Sequence, residues 1–141
     1  MLLTDTLQPQ GWSDAIQCDL TTPLTRHPRL LRLLRHLESH PARQLTTASA
    51  AKLICLQKNY FCAFFKRETG YTFSNWQRAW RVTKIAAVLL AENISISGTA
   101  ERYGYFNMRT FERAFRTHFN MSAREYRQRH GWRQPPSRRT R

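Results

Sequence analysis

The residues from Gly104 to Arg127 hold the chain's clearest set of side chains able to contact a polyanion. Phe111, Ala114, Phe115 and Phe119 fall at helical spacing and mark one buried stripe. Met108, Arg109, Glu112, Arg113 and Arg116 fall on other faces, and such long or charged side chains reach bases and phosphates. Asn107 is placed to cap the helix start through its side-chain oxygen. The pattern predicts a helix that enters DNA, followed by a helix that props it. It also occurs earlier in the chain. Phe61, Phe65, Lys66, Gly70, Thr72 and Trp76 lie over Phe111, Phe115, Arg116, Asn120, Ser122 and Tyr126. One structural unit is used twice, which suits a two-lobed DNA reader and is too few copies for a solenoid.

Catalytic and metal chemistry find little support. No Ser/His/Asp or Cys/His order stands out, there is no glycine-rich phosphate loop, and the nine acidic residues are scattered. Cys18, Cys55 and Cys62 lack metal-ligand spacing, and their odd number fits a reducing compartment. His36 and His40 stand one helical turn apart without a third ligand nearby. The sequence therefore predicts no enzyme, no metal and no cofactor. No apolar run approaches the roughly 18–20 residues of a membrane helix, and Met1 to Gly11 carries Asp5 and no basic residue, unlike a secretory signal.

The net charge is +14 over 141 residues, and it is uneven. Residues 1–25 carry Asp5, Asp14 and Asp19 without Lys or Arg, a charge of −3, so the remainder carries +17. A basic folded body attracts nucleic acid or an acidic membrane, and charge alone does not choose between them; it also serves solubility.

The supporting elements follow from periodicity and caps. Residues 1–25, interrupted by Pro9, Gly11 and Pro23, read as a flexible arm, a docking segment or the remnant of an upstream region, with a short helix conceivable over Ser13 to Leu20. Pro28 opens a helix to Ser39 with Leu30, Leu33, Leu34 and Leu37 inward. Thr46 caps a helix over about 47–54, Cys55-Leu56 turns, and a helix from Lys58 to Thr69 packs through Phe61, Phe64 and Phe65 until Gly70 stops it. Ser74 to Ala91 is a long connector with Trp76, Trp80, Ile85, Val88 and Leu89 inward and Arg78, Arg81 and Lys84 on the polar side. Ser95 caps a helix over about 96–102, and Gly104 takes the turn through positive φ. Ser122 and Glu125 have capping-box spacing before a last helix from Ala123. Residues 133–141, with Pro135-Pro136 and Arg138, Arg139 and Arg141, read as a disordered basic tail able to touch phosphates.

Residues 28–130 resemble the DNA-binding domain of AraC/XylS-type bacterial transcription regulators. The resemblance is carried by Ala100, Gly104 and Tyr105, then Phe111, Phe115 and Phe119, then Tyr126-Arg127, with Phe65-Lys66 and Gly70 as the matching piece of the first lobe. It implies an all-α fold of seven helices: two three-helix lobes, each a helix-turn-helix, over about 28–72 and 94–130. A linker helix over about 74–91 joins them inside a domain of 26–132. It also implies that two recognition helices enter successive major-groove segments about 34 Å apart. The chain departs from the family at Cys55 and Asn120, where glycines are usual. It departs again at Thr99, an apolar position, at Gly98, and at Ala123, where proline is usual.

The family's base-facing positions fall on Asn59, Cys62 and Ala63 in the first lobe and on Met108, Arg109, Glu112 and Arg113 in the second. Asn59 has the chemistry to read adenine, and Cys62 and Ala63 offer van der Waals contact to a thymine methyl. Arg109 or Arg113 can grip guanine, and Glu112 can accept from cytosine, unless it pairs with Arg109 or Arg116 on the helix surface. Lys58, Lys66, Arg67 and Arg116 are the expected phosphate contacts. Direct specificity is thus expected mainly from the second lobe. The expected function is a cytoplasmic, nucleoid-associated, sequence-specific regulator of transcription, an activator by resemblance. Its partners would be double-stranded promoter DNA and RNA polymerase, with no membrane, and it would bind an asymmetric site as a monomer. The alternatives are a module that works only with a protein coactivator and a nonspecific basic nucleic-acid binder.

Overall fold

The computed structural model describes residues 20–130, which are built from helices and turns. A short helix α1 (residues 20–25) leads into α2 (Pro28–Ser39), α3 (Thr47–Leu53), α4 (Lys58–Thr69), α5 (Phe73–Ala91), α6 (Ile96–Arg102), α7 (Met108–Phe119) and α8 (Ala123–His130). The fold is all-α, as expected, with two lobes around the long connector α5. None of the described helices is long and apolar enough to cross a membrane.

Each lobe has its own core. In the first, Leu30, Leu33, Leu34 and Leu37 of α2 meet Phe61, Phe65, Phe73, Trp76 and Trp80. Phe65 meets Phe73 and Trp76 nearly edge-on, at 5.4 and 5.6 Å between ring centres, an arrangement the aromatic quadrupole favours. In the second, Val82, Ile85, Ala86 and Leu89 of α5 meet Phe111, Phe115, Phe119 and Tyr126. The caps sit where the sequence puts them: Thr46 accepts from the Ser49 amide, Ser95 from Gly98, Asn107 from Arg109 and Thr110, and Ser122 from Glu125. The connector begins one residue earlier than expected, because Thr72 accepts from the Asn75 amide at 3.3 Å and caps it.

Two expectations are corrected. Residues 20–25 belong to no flexible arm: Leu20 and Leu24 are buried, and the Trp76 indole N–H donates to the Leu20 carbonyl at 2.8 Å. A buried indole needs an acceptor, and this backbone supplies it. Arg81 does not lie on a polar side; only 3% of it is exposed. Two lobes cover α5 from different sides, so its wet stripe narrows to residues such as Arg78. The rest of the expected arm, residues 1–19, and the expected tail, 133–141, lie outside the described residues.

The turns are built on positive φ. Cys55 and Asn120 take it at 60° and 59°, and Gly70 and Gly104 at 82° and 89°. Asn tolerates this region better than Cys does. Gly104 is doubly constrained, because a Cβ there would stand 2.4 Å from the Ala42 carbonyl oxygen, where the two lobes touch. Cys55→Gly is therefore expected to stabilise the protein by about 1 kcal/mol through relief of left-handed strain. Gly104→Ala is expected to destabilise it by more than about 2 kcal/mol, since strain and a backbone clash add. Urea unfolding of both variants measures the two signs.

Candidate nucleic-acid interface

Each lobe contains a helix, a tight turn and a second helix. In the first unit α3 ends at Leu53, Cys55 makes the turn, and the Leu56 amide reaches back to the Ala51 carbonyl at 2.9 Å. In the second α6 ends at Arg102, Gly104 makes the turn, and the Tyr105 amide reaches back to the Ala100 carbonyl at 2.9 Å. The following helices, α4 and α7, each span 12 residues. Both stop at a left-handed residue, Gly70 or Asn120, and both are followed by a hydroxyl cap, Thr72 or Ser122. The repeat read from the sequence is thus a repeat of backbone geometry. It breaks at one place: the second turn holds an extra residue, Phe106, which is 79% exposed.

The inward faces of α4 and α7 are set by Phe61 and Phe65, and by Phe111, Ala114, Phe115 and Phe119. Their outward faces follow from that packing. Lys58, Asn59, Cys62, Ala63, Lys66 and Arg67 are all exposed, and so are Met108, Arg109, Arg113 and Arg116. Glu112 is half-buried. Each set recurs at intervals of one helical turn, so each forms one strip along its helix. The side chains singled out in the sequence therefore lie along these two strips, Glu112 among them half-buried.

The charges on the two strips differ in freedom. Arg67 stands 3.6 Å from Glu68 and lies over the Phe64 ring at 5.6 Å, so it is already engaged within its lobe. Glu68 also receives His27 at 2.9 Å, and that hydrogen bond is the main cause holding its carboxyl below the usual range. Glu112 pairs with neither Arg109 nor Arg116, contrary to the surface ion pair considered from spacing; the ion pairs of the described residues are His27–Glu68, Arg67–Glu68 and Arg102–Glu92. Two exposed aromatics were missed. Tyr60, 56% exposed, stacks on Phe64 beside the α4 strip, and Phe106 projects just before α7. Their signal was an aromatic out of phase with the buried stripe.

Arg127 braces the second unit from behind. Its Nε donates to the Leu89 carbonyl at 3.2 Å, and its Nη2 donates to the carbonyls of Glu92, at 2.9 Å, and Ile94. It thereby ties α8 to the C-terminal end of α5.

Comparison with known proteins follows this geometry. A family model described as a helix-turn-helix domain matches residues 50–129. The HTH-type transcriptional regulator RipA of Corynebacterium glutamicum is 37% identical over 98 residues, covering 69% of this chain and 29% of that protein. The multiple antibiotic resistance protein MarA of Escherichia coli is 36% identical over 63 residues, covering 45% of this chain and 50% of that protein. The chain thus spans half or less of the length of these relatives. Among solved structures, the C-terminal domain of AraT, a response regulator from Geobacillus stearothermophilus, superposes with a TM-score of 0.70 at 26% identity, over 79% of this chain and 93% of that one. The DNA-binding domain of AdpA in complex with a target DNA superposes with a TM-score of 0.65 at 20% identity, over 70% and 89%, and supports the fold.

His118, in the last turn of α7, gives the interface helix a pH dependence. Its Nε2 is buried without a hydrogen-bond partner among the described residues, and burial lowers its pKa below the ordinary 6.5. The fold prefers the neutral ring, so the unfolded chain takes up the proton first as pH falls. Stability is full above the unfolded pKa and declines as pH drops from it through the folded value. His36 and His130, lowered mainly by burial as well, act with the same sign. Denaturation midpoints are expected to fall between pH 7.5 and pH 5, and His118→Phe is expected to remove a distinct part of that fall.

Proposed function

We propose, for a chain that belongs to the AraC-type helix-turn-helix family of DNA-binding transcription regulators, that α4 and α7 enter adjacent major-groove segments of one duplex and read a specific promoter sequence. The observation that carries this reading is the doubled unit: two helix-turn-helix lobes fixed on one helix, each leaving a polar strip exposed on its second helix. On this reading Arg109, Glu112 and Arg113, with Met108, contact bases from the second lobe, and Asn59, Cys62 and Ala63 contact bases from the first. Lys58, Lys66, Arg67 and Arg116 hold phosphates. The second lobe carries most of the direct readout, because its side chains are longer and carry more hydrogen-bonding groups.

The protein works as a monomer on an asymmetric site, since one chain already supplies two readers. Activation through contact with RNA polymerase, in the cytoplasm, is the regulatory outcome we favour, on the resemblance to the family alone. Its first lobe starts at residue 20 rather than 26, because Leu20 and Leu24 are buried in the first core. A coactivator-dependent module differs in one respect: the isolated chain would select no sequence.

Selection of bound duplexes from a random library is expected to return a two-part motif. Arg109→Ala and Arg113→Ala are each expected to relax one part of it and to cost about 1–3 kcal/mol of discrimination. Lys66→Ala is expected to weaken all sequences alike and to reduce the slope of log K against log salt by about 1. A wild-type chain that selects no motif at moderate salt overturns sequence-specific binding by this chain alone.

A further inference from the structure

The fold holds one cation in a position that asks for an anion. Arg81 lies midway along α5 and is 3% exposed. Its Nε and Nη2 are sealed from solvent and have no hydrogen-bond partner among the described residues. It takes part in none of the ion pairs there. Burial presses its pKa down, and the group that offsets this is Tyr105, a phenol whose own pKa burial raises. A guanidinium does not escape by losing its proton, so among the described residues Arg81 is an uncompensated buried charge, a costly arrangement.

Arg81 lines a cleft of about 420 Å³ between the lobes. Arg78, exposed on the preceding turn of α5, lines it too, as do Ser74, Asn107 and Thr110, and no carboxylate among the described residues does. A second cleft of about 310 Å³ shares Arg78, Tyr105 and Thr110 and adds Arg113 of the α7 strip. The groove therefore runs from Arg81 toward the helix assigned to base reading. The start of α7 opens on the same cleft through Asn107 and Thr110, and a helix N-terminus adds partial positive charge.

We propose that this interlobe cleft is an oxyanion-binding site, with Arg81 at its base and Arg78 at its rim. The planar fork of Arg81 suits a bidentate phosphate or carboxylate. Binding turns the guanidinium so that its unpartnered edge faces the anion. The shared chemistry has two sources. One is a backbone phosphate of the duplex where it passes between the two lobes, which rests on the DNA-binding reading above. The other is a free small oxyanion, which does not.

The test uses the full chain with Arg81→Gln, Arg81→Lys and Arg78→Gln, each checked for helicity by circular dichroism. In the first arm the thermal midpoint is followed against inorganic phosphate and against chloride at matched ionic strength. A saturable phosphate-specific rise in wild type, absent in Arg81→Gln and several-fold weaker in Arg78→Gln, assigns a free oxyanion. In the second arm single methylphosphonates neutralise the backbone of a selected duplex between its two recognised parts. One position that weakens wild type by about tenfold but leaves Arg81→Gln unchanged, with a salt slope lower by about 1 in that variant, assigns the DNA phosphate. If Arg81→Gln does not fold, Arg81→Lys, which keeps the charge without the fork, is expected to show several-fold weakening in the same arm. Phosphate titrations that coincide across the variants, together with methylphosphonates that cost them all alike, overturn the site. A wild type that selects no motif overturns the DNA reading separately, and the phosphate arm then decides the site by itself.

Discussion

The sharing of α5 between two cores is the constraint on which the structure depends. Phe73, Trp76, Ala79 and Trp80 belong to the first core, and Val82, Ile85, Ala86 and Leu89 belong to the second. The changeover falls at Arg81. A helix of 19 residues is about 28 Å long at the standard rise, and its hydrogen-bond ladder resists bending. Neither lobe can rotate about this axis without pulling a large aromatic or aliphatic side chain out of its core. The ends are fixed as well: Thr72 caps one, and Arg127 gathers the carbonyls of Leu89, Glu92 and Ile94 at the other. The relative phase of α4 and α7 is consequently a property of packing, set before any partner is met.

The same rigidity explains why the turns are so particular. Each of α4 and α7 is aimed by the residue that reverses the chain before it. Cys55 and Gly104 do that work through positive φ. At Gly104 the turn also presses against Ala42 of the other lobe, leaving no room for a side chain. Cys55 has no such second duty, which is consistent with a non-glycine residue surviving there. Asn120 replaces glycine at the end of α7 at φ 59°, a region its short polar side chain tolerates.

Much of this was legible in the sequence because it is local. Apolar spacing marks the inner faces of α2, α4 and α7, and Thr46, Ser95, Asn107 and Ser122 announce the helix starts through a side-chain oxygen that must satisfy an amide. The outward strips follow, since a residue one or two positions off the buried stripe has nowhere else to point. What was not legible depends on residues distant in the chain. Arg81 reads as lying on the polar side of its helix, and the turn at Gly104 and Tyr105, distant in the chain, comes up against it. Leu20 and Leu24 carry too short a pattern to signal a helix, and Trp76, 56 positions from Leu20, is what recruits it. Thr99 looked like a flaw in an apolar position; its hydroxyl donates to the Ser95 carbonyl within its own helix, so burial costs it no hydrogen bond.

The two strips are unequal, and the rigid connection makes that inequality workable. The first offers Asn59, Cys62 and Ala63 between charges of which Arg67 is already partly engaged; the second offers two long arginines and an unpaired carboxylate. On the proposed reading, two readers held at fixed separation would present the second to DNA at a high effective concentration once the first has landed. No ordering entropy is then spent on a linker, so a strip with few hydrogen-bonding groups still contributes through phosphates and close apolar contact. The cost of the arrangement falls on the junction. A helix packed by both lobes at its midpoint has little surface left to solvate a charge there, and Arg81 stands at that midpoint, at the base of the interlobe cleft.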